Sequence, residues 1–377
     1  MAKVIILGSA YPLRGGGLAT FNERLAEEFI AQGHEVIIYT FTLQYPKIFF
    51  PGKTQYASGP APHGLDIRIK VNSLNPFNWF KVAAEIREQN PDLMVIRYWL
   101  PYMAPCLGTI AALVKKNLTT KIVAITDNII PHERRPGDKL LTKYFVKNVD
   151  GFVTLSRVVL GELERIEKAG KPKIFTPHPL YDNFGEKIPR KQALEALQLS
   201  DRYKYILFFG FIRPYKGLDI LLNAMADPMV RELPVKLIVA GEFYSSENPY
   251  MKLICDNGLG HKVILHTNFI PNEDVAAYFC ASDLVVQPYR DASQSGVTQV
   301  AYHFGVPMVV TNVGALPEMV PHKISGLVVK PESKMVAKAI CQFFTGSMAD
   351  TLKKGVEEQK GRFSWQRLVE DIFKVAN

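Results

Sequence analysis

The feature that most constrains the fold of this 377-residue chain is an alternation of short apolar runs with longer helical patterns, which occurs twice along the sequence. Short runs that are hydrophobic throughout are typical of parallel strands covered by helices on both faces. Several strand-then-helix repeats indicate a doubly wound domain. The sequence therefore predicts the α/β class, with two doubly wound domains.

The predicted elements fall into two groups. In the first half, strands are predicted at 4–7, 36–40, 93–96, 122–126 and 152–155, with helices at 20–32, 79–89, 139–146 and 158–168. After the proline-rich stretch 177–189, strands are predicted at 206–210, 236–240, 263–266, 284–287 and 308–311, with helices at 217–226, 249–257, 272–280 and 297–304. We therefore predict domains over 1–181 and 182–361. Ligands of α/β proteins bind at the carboxyl ends of strands, so the active site is expected in the cleft between the domains.

Composition narrows the class of protein further. The longest apolar run, 205–211, is far shorter than the roughly 20 residues that a membrane-spanning helix needs. The first strand leads directly into a glycine loop, without the apolar core of a signal peptide, so a cytoplasmic location is expected. The cysteines lack metal-site spacing, so buried free thiols are expected rather than disulfides or zinc. They are Cys106, Cys255, Cys280 and Cys341.

The net charge of +9 would suit phosphorylated substrates, an anionic membrane or nucleic acid. Nucleic acid is a poor explanation, because the sequence has no helix-turn-helix, zinc-finger or aromatic-basic repeat. Phosphorylated substrates and a membrane surface are the partners that remain.

Three consecutive glycines, Gly15, Gly16 and Gly17, lie between the first predicted strand and the first predicted helix. Glycines at this place let backbone N–H groups approach a phosphate, and the helix dipole adds to the attraction. Their spacing does not match the dinucleotide-binding fingerprint. A purely structural tight turn is the alternative.

A second glycine-bounded segment runs from Gly210 to Gly217 and contains Arg213 and Lys216. Two cations at the start of a helix would neutralise a diphosphate leaving group. A basic turn that is only solvated is the alternative.

A polar loop connects the strand predicted at 284–287 to the helix predicted at 297–304. Backbone amides at such a helix start would bind phosphate. The residues expected to contact the ligand there are Gln294, Ser295, Gly296, Val297 and Thr298.

These segments together resemble those of the family-four retaining glycosyltransferases, and the resemblance covers essentially the whole chain. The matching phrases are Gly16-Gly17, Gly33-His34-Glu35-Val36, Lys216-Gly217, Ala240-Gly241-Glu242, Phe269-Ile270-Pro271 with Asp274, Gly305-Val306-Pro307 and Gly314-Ala315-Leu316-Pro317-Glu318. The resemblance implies the GT-B architecture of two Rossmann-like domains. A last helix, at about 362–377, would pack back on the first domain.

The resemblance also implies a function. A hexose would pass from a nucleoside diphosphate sugar to a carbohydrate or lipid-linked acceptor with retention at the anomeric carbon, as in cell-surface glycan or glycolipid synthesis. The second domain would bind the donor and the first the acceptor. Cations and helix N-termini would replace a metal, and no cofactor is expected. The donor contacts so implied are Gly16, Gly17, Gly241, Glu242, Phe269 and Ile270.

The chain departs from the family pattern at four positions, one of which is Asp127, where the resembling segment of the family has a histidine. Ala292 and Val300 stand where the family usually has two glutamates, one near the sugar and one on the donor ribose. Phe211 stands where an arginine is usual, and Arg213 would take over its phosphate contact. The polar residues that would replace the glutamates in part are Gln294, Ser295 and Gln299.

Candidates for the acceptor side follow strands of the first domain. Asp127 would orient the acceptor hydroxyl or accept its proton, or it caps the next turn. His132 binds the acceptor or makes an ordinary polar contact. Arg97 and Trp99 follow the strand at 93–96 and would contact the acceptor, although Trp99 suits the core equally well. The residues expected to take part in catalysis are Asp127, His132, Arg213 and Lys216.

Aromatic and basic residues collect at 41–53 and 134–147. In the second stretch, lysines recur on one helical face beside apolar side chains. Such a helix would lie on the inner face of the cell membrane, or it is a solvated face over the core. The lysines are Lys139, Lys143 and Lys147.

Two other functions stay open. The missing glutamates would suit a non-catalytic nucleotide-binding partner module, although such a protein has no evident reason to keep Lys216 and the glycine loop. A nucleotide-sugar epimerase would need carboxylates around the sugar, and these segments have few.

Overall fold

The computed structural model describes residues 1–14, 17–46, 54–57, 59–117, 119–131 and 135–377. These residues form two compact units, Met1–Pro179 with Ser364–Asn377 and Leu180–Phe363. Each unit is built on a parallel sheet, with seven strands in the first and six in the second. The predicted α/β class with two Rossmann-like domains is confirmed.

In the sheet of the first unit, successive strands are added first on one side of the first strand and then on the other. Its strands are β1 (Lys3–Leu7), β2 (Glu35–Leu43), β3 (Asp66–Asn72), β4 (Leu93–Tyr98), β5 (Lys121–Thr126), β6 (Gly151–Thr154) and β7 (Lys173–Phe175). Their order is β3-β2-β1-β4-β5-β6-β7. Val4 of β1 pairs with Val36 on one side and Leu93 on the other. The switch point therefore lies between β1 and β4, where α/β proteins bind ligands.

Helices cover this sheet on both faces. They are α1 (Ala19–Ala31), α2 (Pro76–Glu88), α3 (Ala104–Val114), α4 (Asp138–Lys147), α5 (Arg157–Ile166) and the last helix of the chain, α15 (Trp365–Ala376). Helix α1 packs with α15, whereas α2, α3 and α4 pack side by side. The chain moves outward from β1 to β3 and then returns to β4, so right-handed crossovers place the two groups on opposite faces.

The C-terminal helix α15 is held to the first unit by apolar and polar contacts. Trp365 packs on Phe21 of α1, with ring centroids 4.8 Å apart. The buried Asp371 accepts a hydrogen bond of 2.9 Å from the hydroxyl of Thr176. The chain thus returns to its first unit at its end.

The second unit repeats the doubly wound plan. Its strands are β8 (Lys204–Phe209), β9 (Val235–Ala240), β10 (Val263–His266), β11 (Leu284–Gln287), β12 (Met308–Thr311) and β13 (Gly326–Val329). Its helices are α6 (Arg190–Ala196), α7 (Leu218–Ala226), α8 (Pro228–Arg231), α9 (Asn248–Asp256), α10 (Val275–Ala281), α11 (Gly296–Phe304), α12 (Leu316–Met319), α13 (Ser333–Thr345) and α14 (Met348–Gln359). The strand order β10-β9-β8-β11-β12-β13 places the switch point between β8 and β11.

Several elements differ from the sequence prediction for physical reasons. The edge strand β3 was not predicted because its residues are of mixed polarity and all but one are exposed or partly exposed. Helix α3 was not predicted because its residues are small or apolar on nearly every face, so the sequence shows no helical period. Strand β4 extends to Tyr98, so Arg97 lies within the strand rather than after it.

The described cysteines are free, as predicted, but only Cys106 is buried. Burial raises the pKa of the Cys106 thiol to about 12. The expectation of buried thiols is wrong for Cys255, which is exposed on α9, and Cys280 and Cys341 are only partly buried.

Candidate functional site

The switch point of the second unit holds an unusually placed lysine. Gly210 follows β8 with φ of +91°, and the Lys216 Nζ atom lies 3.2 Å from the position that a Cβ would take at Gly210. A side chain at position 210 would crowd this ammonium, and the positive φ also favours glycine. The turn from β8 into α7 therefore holds the ammonium against the backbone at the edge of the sheet.

Burial controls the charge of Lys216. The residue is partly exposed, and the protein around its ammonium displaces much of the surrounding water. Burial and, secondarily, the nearby charge of Arg213 lower the pKa of Lys216 from 10.5 to about 7. No carboxylate among the described residues contributes to this shift. A bound anion would therefore stabilise both cations.

The N-terminus of α11 lies at the same switch point. Ser295 caps the helix, since its Oγ accepts a hydrogen bond of 3.4 Å from the Thr298 N–H. Gln287, at the end of β11, fixes this cap: it accepts from the Ser295 hydroxyl at 2.5 Å and donates to the Thr298 hydroxyl at 3.1 Å. The amides of Gly296 and Val297 have no intrahelical acceptor and lie at the positive end of the helix dipole.

These groups converge on one region of the sheet edge. The Val297 Cγ2 atom lies 3.6 Å from the Gly210 Cβ position that also adjoins the Lys216 ammonium. The structure therefore brings together Lys216, Arg213 and the start of α11, all predicted as ligand contacts. Two cations with helix-terminal amides are well suited to phosphate or diphosphate.

The polar residues expected to replace the missing glutamates are mostly enclosed. Gln299 is fully buried, and neither atom of its amide has a hydrogen-bond partner among the described residues. Ala292 and Val300 are buried as well, whereas Gln294 is partly exposed. A ligand would therefore reach Gln299 only if the structure around it opened.

Other candidates lie along the same edge, beyond β9 and β10. Gly241 and Glu242 follow β9, and Phe269 and Ile270 follow β10. At Gly241 φ is +144°, and a Cβ would lie 2.2 Å from the Gly210 carbonyl oxygen, so glycine permits the ends of β8 and β9 to approach. Phe269 and Ile270 are partly exposed, but Glu242 is buried.

In the first unit, Arg97 and Asp127 form a buried ion pair. The Arg97 Nε and Nη2 atoms donate to the two carboxylate oxygens of Asp127 at 2.6 and 2.7 Å. The guanidinium also lies over the ring of Phe21, 3.5 Å from its centre. Arg97 is 2% exposed and Asp127 is 4% exposed. The carboxylate predicted to act on an acceptor is thus bound by a neighbouring cation.

Further polar groups surround this pair. His178 packs edge-on against Phe21, with ring centroids 5.2 Å apart, and sequence reasoning missed it because the proline-rich stretch resembles a linker. Burial, with the charge of Arg97, lowers the pKa of His178 to about 4, so the ring is neutral at pH 7. The buried atoms without a partner among the described residues include Arg97 Nη1, Asn22 Oδ1 and Asn128 Oδ1. Such atoms are suited to form hydrogen bonds with a water molecule or a polar ligand.

The remaining candidates are Trp99, Gly17, Gly16 and His132. Trp99 is buried, and its indole N–H donates to the Tyr45 hydroxyl at 2.6 Å, as the core alternative expects. Gly17 is exposed before α1. No cluster of three or more potential metal ligands occurs within the described ranges. Two predicted site residues, Gly16 and His132, lie outside the described residues.

The layer of α2, α3 and α4 exposes apolar side chains beside lysines. On α4, Lys139, Lys143 and Lys147 are exposed, and Leu140 beside them is 73% exposed. At the start of α2, Phe77 is 86% exposed. None of the described helices has the length and apolar character that crossing a membrane requires.

Comparison with known proteins identifies the family of both units. Residues 15–174 match the family model described as Glycosyltransferase Family 4, and residues 203–345 match the model described as Glycosyl transferases group 1. The chain is 24% identical over 388 residues to D-inositol 3-phosphate glycosyltransferase of Jonesia denitrificans, covering 96% of this chain and 90% of that relative.

Solved structures share the fold. Sucrose-phosphate synthase of Thermosynechococcus elongatus has a TM-score of 0.74 at 18% identity, covering 100% of this chain and 98% of that one. HepE of Anabaena, solved with UDP, has a TM-score of 0.74 at 17% identity, covering 99% of this chain and 100% of that one. The resemblance seen in the motifs is confirmed, and the chain belongs to the group 1 and family 4 glycosyltransferases with the GT-B fold.

Proposed function

We propose that this glycosyltransferase moves a hexose from a nucleoside diphosphate sugar to a carbohydrate or lipid-linked acceptor with retention, in glycan or glycolipid synthesis. The observation that carries the proposal is the convergence of Lys216, Arg213 and the start of α11. These groups supply positive charge where the leaving diphosphate becomes more negative. The solved complexes of HepE with UDP and with UDP-glucose support a donor of this class.

The proposed transfer breaks the bond between the anomeric carbon and the β-phosphate oxygen, and it joins that carbon to an acceptor hydroxyl oxygen. Lys216 and Arg213 hold the departing phosphate, and the Gly296 and Val297 amides donate to its oxygens. The acceptor proton passes to the departing phosphate on the same face of the sugar. No protein nucleophile takes part, and the cations with the helix N-terminus act in place of a metal ion.

We assign the donor chiefly to the second unit. The glycine loop of the first unit would add amides to the phosphates. The second-unit residues assigned to the donor besides Lys216 and Arg213 are Gly241, Glu242, Phe269, Ile270, Gln294, Ser295, Gly296, Val297 and Thr298, and those of the loop are Gly16 and Gly17.

We assign the acceptor to the first unit. Arg97 and Asp127 would act as a pair, with Arg97 Nη1, which has no partner among the described residues, donating to an acceptor oxygen. His132 would contact the acceptor as well. Trp99 would do so only if its burial were relieved, because its indole N–H is already bonded.

A contact with the inner face of the cell membrane belongs to the same proposal. Leu140→Glu places a carboxylate beside Lys139 and Lys143 and removes an exposed apolar side chain, so affinity for anionic vesicles is expected to fall about tenfold. Co-sedimentation with phosphatidylcholine vesicles, with and without phosphatidylserine, measures this. The control is Met229→Glu on α8, where a methionine is 42% exposed. Equal binding of anionic vesicles by Leu140→Glu and Met229→Glu would contradict the proposed membrane contact.

A non-catalytic nucleotide-binding partner is the second candidate, and the apolar residues Ala292 and Val300 favour it. The two candidates differ in turnover. Purified protein is incubated with UDP-, ADP- and GDP-hexoses and with carbohydrate and lipid-linked acceptors. Transfer with retention releases the nucleoside diphosphate and gives an α-linked product from an α-linked donor. Nucleotide binding without release over all pairs would support the partner module, and interconversion of two sugar nucleotides would support an epimerase.

The pKa of Lys216 makes donor affinity depend on pH. In the free protein the ammonium loses its proton as pH rises through about 7, whereas bound phosphate would keep it protonated. Donor binding then takes up a proton above pH 7, and affinity falls by about tenfold per pH unit. Calorimetry with UDP-glucose between pH 6 and pH 9 tests this, because its phosphates do not titrate over this range. The arginine of Lys216→Arg stays charged over this range, so the UDP-glucose affinity of this variant should not change with pH. The same pH dependence in the wild type and in the variant would contradict the assignment of Lys216 to the donor phosphates.

A further inference from the structure

The two cations of the proposed phosphate site lie on a short turn, residues 213–217, which we call the lysine turn. Within it, the Lys216 N–H donates to the Arg213 carbonyl at 3.0 Å. The Gly217 N–H donates to the Pro214 carbonyl at 3.1 Å. A single tight turn of this kind is weak by itself, because its hydrogen bonds have poor geometry. The position of the Lys216 ammonium therefore depends on what holds the lysine turn from outside.

The segment that follows β11 packs closely against the lysine turn. Gly217 has φ of +68°, and a Cβ there would lie 2.0 Å from the carbonyl oxygen of Pro288. Glycine at this position therefore permits the two segments to approach. In addition, the Arg290 N–H donates to the Tyr215 carbonyl at 2.7 Å. The backbone after β11 thus holds the middle and the end of the turn.

The side chain of Arg290 joins the lysine turn to the helix after it. Its Nη1 atom donates to the Pro214 carbonyl at 2.9 Å. Its Nη1 and Nη2 atoms also donate to the two carboxylate oxygens of Asp219, in the first turn of α7, at 2.8 and 2.5 Å. The donors of a guanidinium have fixed directions, so these bonds fix the turn relative to α7. The two side chains are 44% and 34% exposed, so the pair adds little to global stability.

We propose that Arg290 is a positioning residue for Lys216, because it holds the lysine turn so that the ammonium stays against Gly210 at the switch point. The inference rests on the proposed function, in which this ammonium meets the donor phosphate. The Arg290 guanidinium is bound to Pro214 and Asp219, so it acts through the turn rather than on the donor. Without these bonds the turn is freer, and the ammonium gains contact with water.

This release would change the protonation of Lys216. Burial, with the charge of Arg213, lowers the pKa of Lys216 to about 7, and more contact with water would raise this pKa toward 10.5. The buried ring of Tyr289 also faces the ammonium, with its centre 5.7 Å from Lys216 Nζ. Burial raises the pKa of Tyr289, so its hydroxyl stays neutral between pH 6 and pH 9. The protonation of Lys216 therefore reports how the turn is held.

Titration calorimetry of Arg290→Met with UDP-, ADP- and GDP-glucose measures the effect on the donor. At pH 6 Lys216 is charged in both proteins, so the variant should bind the best of these donors about tenfold more weakly than the wild type. The difference should become smaller toward pH 9, because only the wild type loses the Lys216 proton over this range. A residue that served stability alone would lower the affinity equally at every pH.

NMR of ¹³C-labelled lysine side chains measures Lys216 without any donor, and Lys216→Arg identifies its signal. The pKa should be about 7 in the wild type and at least about one unit higher in Arg290→Met. Arg290→Lys keeps a cation opposite Asp219 and should recover part of the difference. The control is Arg231→Met, which removes an exposed guanidinium bonded to the Asn257 carbonyl and should change neither quantity.

An unchanged Lys216 pKa in Arg290→Met, or an equal loss of affinity at pH 6 and pH 9, overturns the positioning role. Wild-type protein that binds none of the three donors contradicts the proposed donor site, whereas a raised Lys216 pKa in Arg290→Met then still supports the positioning role. Thermal unfolding checks the fold of the variant, and Tm should fall by less than about 4 °C because the lost ion pair is exposed.

Discussion

Replacing Lys216 with methionine is expected to lower kcat/KM for a nucleotide sugar by about 100- to 1000-fold. The ammonium lies at the switch point beside Gly210 and Val297, where the departing diphosphate would carry its charge. Methionine has a similar length but supplies no charge or donor. Initial rates of nucleoside diphosphate release measure the effect, and Lys216→Arg should recover a substantial part of it.

The same variant is expected to be more stable than the wild type, which separates a functional role from a structural one. The folded protein lowers the pKa of Lys216 from 10.5 to about 7, so it disfavours the protonated form. This cost is fully present below pH 7 and disappears as pH rises toward 10.5. Lys216→Met should therefore raise Tm most at pH 6 and least near pH 10. A lower Tm together with low activity would point to a structural role. Lys236→Met, at a lysine over the exposed Tyr203 ring, is the control.

Replacing Arg97 with methionine is expected to destabilise the protein by about 3 to 5 kcal/mol. The change leaves the Asp127 carboxylate buried without the guanidinium that binds both its oxygens. Urea or thermal unfolding at pH 7 measures the loss. The comparison is Lys354→Met, which breaks an exposed ion pair to Glu358 and should change stability by less than about 1 kcal/mol.

The double variant Arg97→Met with Asp127→Leu tests the cause of that loss. Apolar residues in place of both partners leave no buried charge, so much of the stability should return. If the double variant is as unstable as Arg97→Met alone, the loss comes from the packing of the guanidinium on Phe21 instead. Transfer assays on the double variant then show whether the pair also serves the acceptor.

The architecture of two doubly wound domains could be predicted from the sequence, because parallel strands buried on both faces appear as short runs that are apolar throughout. Strands β10, β11 and β12 match their predicted limits. The start of α11 could also be predicted, because Ser295 and the glycine after it are typical of a capped helix start that follows a strand. Elements without a polar face, such as α3, carry no such pattern.

Contacts between distant parts of the chain could not be predicted from the sequence. Nothing in the sequence shows that Asp127 binds Arg97, because the two meet only when β4 and β5 pair. The lowered pKa of Lys216 depends on the burial that folding creates.

The central claim is that the switch point of the second unit binds the diphosphate of a nucleotide sugar, and thermal unfolding with nucleotides tests it most directly. Wild-type protein and Lys216→Met are heated with UDP, GDP, ADP and their hexose derivatives. A ligand at about 100 times its Kd adds roughly 2.7 kcal/mol of stability. The account predicts a clear rise in Tm with at least one nucleotide for the wild type and little or none for Lys216→Met. No rise with any nucleotide, or an undiminished rise in the variant, would contradict it.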